Sequence, residues 1–314
     1  MDRYLLTGST GYIGSMIAKK LIEKKNDITI LVRNKVHLDN VITNNSEIIL
    51  ADVTNKEAIF RITEKYDYII HCAAPTKSSF MISNPVEVID TIVNGTLNIL
   101  NLAERCNAKG VVYLSSMEVY GQIDCFDGKR VSEEQLGYFD VTNVRSCYPI
   151  AKLMAENLCH SYCKEYGVPV KVARMAQTFG RDVRPKDSRV FAQFAHAVKN
   201  NEDIVLHTQG DSVGNYCDID DAVDAILFIL ENGEVNQTYN VVNEATVMTI
   251  REMAELVVNK IADGKIKVTY DIPDGNTYGY AANTGLRLSG AKLKELGWEA
   301  TVGLEDMYRK MLEK

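Results

Sequence analysis

No run of apolar residues in this 314-residue chain continues for the roughly 20 positions that a membrane-spanning helix needs, so none is expected. Proline is scarce, with six residues, and no low-complexity tract or internal repeat appears. With 46% of residues hydrophobic, that combination excludes a disordered or fibrous chain. Positive charge is also in short supply: 35 Lys and Arg stand against 42 Asp and Glu, a net charge of -7. Binding to nucleic acid or an anionic membrane needs a basic surface, so neither partner is expected; a small anion can still be held locally. Met1-Asp2-Arg3-Tyr4 runs straight into Leu5-Leu6-Thr7-Gly8, without the basic, apolar and small-residue segments of a secretory signal. Seven scattered cysteines (Cys72, Cys106, Cys125, Cys147, Cys159, Cys163 and Cys217) suit reduced thiols, and a cytoplasmic protein is expected. Cys159, His160 and Cys163 fit one helix with no second ligand pair nearby in sequence, so no metal is expected.

What is present is an alternation of strand and helix patterns. Short apolar strands are expected at 4–6, 26–33, 46–50, 68–70, 111–114 and 170–173, and helices with apolar residues at helical spacing at 12–24, 86–106 and 150–166. Strands alternating with crossover helices imply an α/β fold, a doubly wound parallel (Rossmann) sheet covered on both faces. After about Gly180 the pattern is less regular, with helices at 190–199, 220–231, 250–261 and 304–312 and strands near 204–207, 239–242 and 266–270. Two domains are expected: 1–180, carrying the dinucleotide site and the catalytic residues, and 181–314, a smaller mixed α/β substrate lobe with some return of the chain to the first domain.

The first chemical signal is Thr7-Gly8-Ser9-Thr10-Gly11-Tyr12-Ile13-Gly14, between the first strand and the first helix. Glycines there allow a tight turn, let a pyrophosphate approach the backbone and let the helix pack close to the sheet, while the helix N-terminus supplies amide donors. Gly8, Thr10, Gly11, Tyr12, Ile13 and Gly14 are therefore candidate cofactor residues. The alternative is a plain turn.

From this three-three glycine spacing onward the chain resembles the extended, nucleotide-sugar-processing branch of the short-chain dehydrogenase/reductase superfamily. The resemblance continues through Asp52-Val53, His71-Cys72-Ala73-Ala74, Asn94, Ser115-Ser116-Met117-Glu118-Val119-Tyr120-Gly121, Tyr148-Pro149-Ile150-Ala151-Lys152, Arg174 to Gly180, and Asp220-Asp221. It implies that Asp52 and Val53 sit at the adenine edge, that Cys72, Ala73 and Ala74 flank the cofactor, and that Asn94 belongs to the same site. Cofactor choice turns on the end of the second strand, where an acidic residue would hold a ribose 2′-hydroxyl and an Arg would accommodate a 2′-phosphate. Val32 and Arg33 stand there, so NADP(H) is favoured over NAD(H); alternatively Arg33 is a solvated strand-end charge.

Tyr148 and Lys152 lie four residues apart on an expected helix, so their side chains share a face. An ammonium there can lower the phenol's pKa, and the phenolate can take a proton from a sugar hydroxyl while hydride leaves the same carbon. By resemblance Ser116 hydrogen-bonds the reacting oxygen, and Glu118 is the base that removes a C5 proton; the alternative is a structural or substrate contact. Met117 stands where related dehydratases carry an acid. The resemblance further implies Thr76, Ser116, Met117 and Gln177 at the substrate. It lacks the common diphosphate-binding Arg at Gly214, a charge that Arg181, Arg184 and Arg189 could replace. The stretch 122–146, longer than a minimal connection, is expected over the active site.

These readings together imply an enzyme that transiently oxidises C4 of a nucleotide-activated sugar with bound NAD(P), followed by dehydration, decarboxylation or epimerisation; the resemblance alone implies a homodimer through the helices at 86–106 and 150–166. The alternatives are an NADPH-dependent 4-keto-sugar reductase and a non-catalytic dinucleotide-binding regulator.

Overall fold

The computed structural model describes residues 2–123, 127–183, 187–273 and 285–313; Cys125 and Arg184 lie outside the described residues. Seven strands form one parallel sheet: β1 (Arg3–Thr7), β2 (Asp27–Val32), β3 (Glu47–Leu50), β4 (Tyr68–His71), β5 (Gly110–Ser116), β6 (Val170–Met175) and the late strand Thr238–Val241. Their spatial order is Thr238–Val241, β6, β5, β4, β1, β2, β3. Leu5 pairs with Thr29 on one side and Ile69 on the other, which sets the register around the central strand. The runs Ile28 to Val32, Val111 to Leu114 and Val170 to Ala173 are buried and largely apolar, as strands covered on both faces must be.

The chain goes outward from β1 through β2 and β3, then returns to the other side of β1 for β4 to β6. This reversal puts a topological switch point between the C-terminal ends of β1 and β4, where open α/β sheets bind ligands. The expected helices form at Tyr12–Glu23, Pro85–Cys106 and Cys147–Tyr166. Proline occupies the first turn of the second, where its missing N–H costs nothing. Gly167 closes the third in a left-handed conformation. The third begins three residues before the expected start, so Tyr148 and Lys152 both belong to it. Asn40–Asn44, Lys56–Phe60 and Ser78–Ser83 are one-turn helices too short for periodicity to reveal; Asp39 and Asn55 cap the first two with their side chains.

The chain divides into two compact units, though not at residue 180 alone. The first comprises Met1–Gly121, Tyr138–Met175 and Val223–Val241; the second comprises Gln122–Gly137, Ala176–Ala222 and Val242–Lys314. The expected return of chain is Val223–Val241, whose strand lies beside β6. Stretch 122–146 is shared between the units: in the second, Val131 pairs its backbone with Arg287 and Ser289, and the first takes up the chain again at Tyr138. The second unit also contains the strand pairs Gln177–Phe179 with Tyr216–Asp218, Ile204–Leu206 with Val268–Tyr270, and Val213–Gly214 with Met248–Thr249. Its expected helix at 250–261 is α-helical over Ile250–Leu256 and continues as a wider turn over Val257–Ile261. Among the described residues no helix is long and apolar enough to cross a membrane.

Candidate active site

The switch point is built around the glycine turn. Gly8 has φ +76°, and a Cβ there would lie 2.7 Å from the carbonyl carbon of Cys72, so the turn sits directly on the end of β4. A Cβ on Gly14 would run into the carbonyl oxygen of Gly8, which makes the third glycine a condition of helix-to-turn packing. Thr7 fixes the other half: its Oγ1 accepts from the backbone N–H groups of Cys72 and Ala73, each at 3.2 Å, and is 2.7 Å from Nδ1 of His71. The Thr96 hydroxyl donates to the carbonyl of Ile92, so Nε2 of His71 is the donor in its 3.2 Å contact with Thr96. His71 is therefore held neutral. Burial, helped by the charge of Lys152, lowers its pKa to about 3.

This cradle fits a dinucleotide. Gly11 caps the Tyr12–Glu23 helix without a side-chain hydrogen bond, and the buried Oγ of Ser9 has no partner among the described residues. Val53 is buried against Gly95, and Asn98 donates to its carbonyl. Asp52 accepts from the amide and hydroxyl of Thr54 at the end of β3. Arg33 extends from the end of β2 to within 3.9 Å of Asp52 and 3.6 Å of Glu87. Asn94 is not brought to the turn. Ile92 and Thr96 face inward on the same helix, so position 94 faces solvent, where its amide donates to Asp90. Thr76 is exposed beyond the end of β4.

The second cluster stands where β5 gives way to the short helix Met117–Tyr120. Ser116 caps that helix by accepting from the amide of Glu118 at 3.2 Å, and its hydroxyl is close enough to Tyr148 to oppose the rise of the phenol's pKa. Tyr148 is 6% exposed and Lys152 is 3% exposed. The Lys152 ammonium donates to the carbonyl of Leu114 at 2.6 Å, and lies 4.7 Å from the ring centre of Tyr113 and 5.9 Å from that of Tyr148. One turn further on, Glu156 meets Arg174 of β6 in a buried ion pair at 2.8 Å, which ties the catalytic helix to the sheet. Arg174 in turn lies over the Tyr120 ring, whose hydroxyl donates to Asn240.

The electrostatics are those of a dry site. Burial raises the Tyr148 pKa well above the ordinary tyrosine value and Glu118 adds to that; the Ser116 hydrogen bond and the charge of Arg145 oppose it. Burial pulls the Lys152 pKa down to about 8, against the opposing influence of Cys72, Glu156 and Cys159. An amine with that value exchanges protons near neutral pH, as a group in a proton relay must.

Arg145 joins this cluster, and sequence reasoning did not single it out. Its Nη1 is 2.9 Å from one carboxylate oxygen of Glu118, its Nη2 is 3.0 Å from the other, and its guanidinium carbon is 5.8 Å from the Tyr148 ring centre. Position three residues before a catalytic Tyr was the available signal, but 27 residues of chain separate it from Glu118.

Residues 4–242 match the NAD dependent epimerase/dehydratase family. The chain belongs to this family. Family membership accounts for the glycine cradle and for the Ser116, Tyr148 and Lys152 cluster in one chain, and makes this protein an NAD-dependent enzyme. Among curated relatives, UDP-glucuronic acid decarboxylase 6 of Arabidopsis thaliana is 31% identical over 312 residues, covering 97% of this chain and 86% of that protein. UDP-glucuronic acid decarboxylase 1 of Danio rerio is 28% identical over 316 residues, covering 99% and 72%. Among solved structures, a UDP-glucose 4-epimerase from Thermotoga maritima shares the fold at a TM-score of 0.85, with 23% identity and coverage of 99% and 97%. A dTDP-glucose 4,6-dehydratase from Streptomyces venezuelae, solved with NAD bound, does so at 0.80 with 22% identity, covering 98% and 95%.

The remaining sequence candidates belong to the second unit. Gln177 opens a strand there, and its buried Oε1 has no partner among the described residues. Arg181 is engaged by Asp220 at 2.8 Å and Arg189 by Asp187, so both guanidinium groups already carry a carboxylate. Arg287, which sequence reasoning passed over, has a buried Nε with no partner among the described residues.

Proposed function

We propose that this enzyme decarboxylates a nucleotide-activated uronic acid through transient oxidation at C4. The observation that carries the reading is the two-nitrogen clasp of Arg145 on Glu118, beside an apolar Met117. Removal of a C5 proton followed by loss of the C6 hydroxyl needs a free base and an acid. Here the base is paired, and the acid position is a thioether. Decarboxylation of the C4 ketone needs no base at C5 and no acid for a C6 hydroxyl, and water supplies the C5 proton. The length-spanning similarity to UDP-glucuronic acid decarboxylases supports the same outcome.

When bound, the nicotinamide cofactor supplies the hydride acceptor for C4. Tyr148 takes the proton from the C4 hydroxyl, and Ser116 holds the same oxygen by hydrogen bonding. Lys152 and Arg145 supply the positive charge that favours a phenolate against burial. With a ketone at C4, the bond from C5 to the carboxylate breaks, carbon dioxide leaves, and the electron pair spreads onto O4, where Tyr148 and Ser116 donate hydrogen bonds. A proton from water at C5 would give the 4-keto pentose, and return of the hydride to C4, with Tyr148 giving its proton back to O4, would restore the hydroxyl. In the second unit, Gln177 Oε1 and Arg287 Nε are buried with no partner among the described residues. Incubation with UDP-glucuronate, UDP-glucose and dTDP-glucose, with products read by NMR, tests the reading: carbon dioxide and a nucleotide pentose from the first alone are expected. A 4-keto-6-deoxy product from either hexose would replace it with the dehydratase reading.

The finer cofactor choice is NADP(H). Arg33 stands where a 2′-phosphate is recognised, and such a phosphate would displace the Asp52 and Glu87 carboxylates from its guanidinium. Equilibrium titration should give about tenfold tighter binding of NADP⁺ than of NAD⁺, lost in Arg33→Ala. Tighter NAD⁺ binding by the unmodified protein would reverse the assignment. The assembly we infer is a homodimer through the Pro85–Cys106 and Cys147–Tyr166 helices, whose outer faces expose Val86, Ile89, Met154 and Tyr166.

A further inference from the structure

Glu118 and Arg145 form a closed charge pair next to the reacting atoms. Both carboxylate oxygens are taken by guanidinium nitrogens, at 2.9 and 3.0 Å, and the side chains remain 35% and 28% exposed. The same guanidinium lies over the Tyr148 ring, 5.8 Å from its centre. In the decarboxylase reading, a sugar whose C4 hydroxyl meets Tyr148 and Ser116 turns its C5 substituent towards this pair. For a neutral hexose that substituent is a hydroxymethyl group; for a uronate it is a carboxylate. Two carboxylates side by side in a partly dry site repel, which disfavours the uronate. A bidentate guanidinium removes that repulsion at its source.

We propose that Arg145 is a specificity-determining residue: by neutralising Glu118 it lets a nucleotide sugar carrying a C5 carboxylate sit beside Glu118, and so admits uronates to a site that would otherwise favour neutral hexoses. This rests on the decarboxylase reading above. The rest of the cluster fits the assignment. Ser78 Oγ, 3.5 Å from Nη2, carries no charge, so Glu118 is the anion that this guanidinium pairs.

Affinities of the cofactor-loaded enzyme for UDP-glucuronate and UDP-glucose, which differ only at C6, test the proposal by calorimetry. Arg145→Gln is expected to weaken UDP-glucuronate by about tenfold or more and UDP-glucose by less than about threefold. The decisive variant is Glu118→Gln combined with Arg145→Gln, which removes both charges and should recover UDP-glucuronate binding to within about threefold of the unmodified enzyme. A merely structural Arg145 predicts equal loss for both ligands. Direct capture of the substrate carboxylate by Arg145 predicts no recovery in the double variant. Either result overturns the proposal. If Arg145→Gln alone does not fold, judged by melting and retained cofactor, Arg145→Lys takes its place, keeping the charge but not the fork and giving an intermediate loss for UDP-glucuronate alone. Failure of the unmodified enzyme to release carbon dioxide from UDP-glucuronate removes the decarboxylase reading and this inference with it. Release without recovery in the double variant removes the inference alone.

Discussion

Lys152 shows how one residue trades stability for chemistry. Its pKa falls from 10.5 to about 8 because the ammonium is buried. Between those values the unfolded chain holds the proton and the folded chain does not, so stability rises with pH across that window, and the cost of burying the charge is fully present below about pH 8. Lys152→Met should therefore stabilise the cofactor-free protein at pH 7 by up to about 3 kcal/mol, with the advantage shrinking as pH climbs towards 10.5, while turnover is lost. Thermal melts of both proteins at pH 7 and pH 10 check this; an advantage that does not depend on pH would assign it to packing instead. Tyr148, Lys152 and Ser116 were legible in the sequence because helix spacing and motif order place them. Arg145 was not, since an ion pair across 27 residues leaves no periodic trace.

At the scale of elements, the turn between β1 and its following helix depends on atoms it does not itself contain. Gly8 is pressed on the end of β4, and Gly14 on Gly8, so each side chain added there displaces backbone. Gly14→Ala should destabilise the fold by about 1–3 kcal/mol and weaken cofactor binding about tenfold or more, because the helix N-terminus that meets the pyrophosphate must move away from the turn. Cofactor titration alongside denaturant unfolding checks both parts; unchanged affinity would show that the helix start tolerates displacement. The strand and helix pattern that announced this turn was readable because buried parallel strands are continuous apolar runs and their covering helices are amphipathic. The one-turn helices at Asn40–Asn44, Lys56–Phe60 and Ser78–Ser83 were not, because five or six residues cannot establish a period. Asn94, a motif position in sequence, is exposed on its helix, where its amide donates to Asp90.

For the whole molecule, the exposed apolar side chains on the two long helices predict association. Met154, 47% exposed, lies near the middle of the Cys147–Tyr166 helix, and Met154→Glu should shift sedimentation from dimer to monomer without disturbing the buried face of that helix. A protein that sediments as a monomer before any substitution would remove the dimer. The sequence by itself determined the local structure: parallel strands from apolar runs, a tight glycine turn at the first helix, and Tyr148 and Lys152 on one face of a helix, one turn apart. These follow from short-range geometry, which any short segment carries within it. The tertiary structure alone decided that the chain leaves and re-enters its first unit twice, that Arg174 anchors the catalytic helix through Glu156, and that Arg145 closes on Glu118. Those outcomes depend on which distant side chains meet in a buried or half-buried space, where the surrounding packing rather than sequence spacing selects the partner.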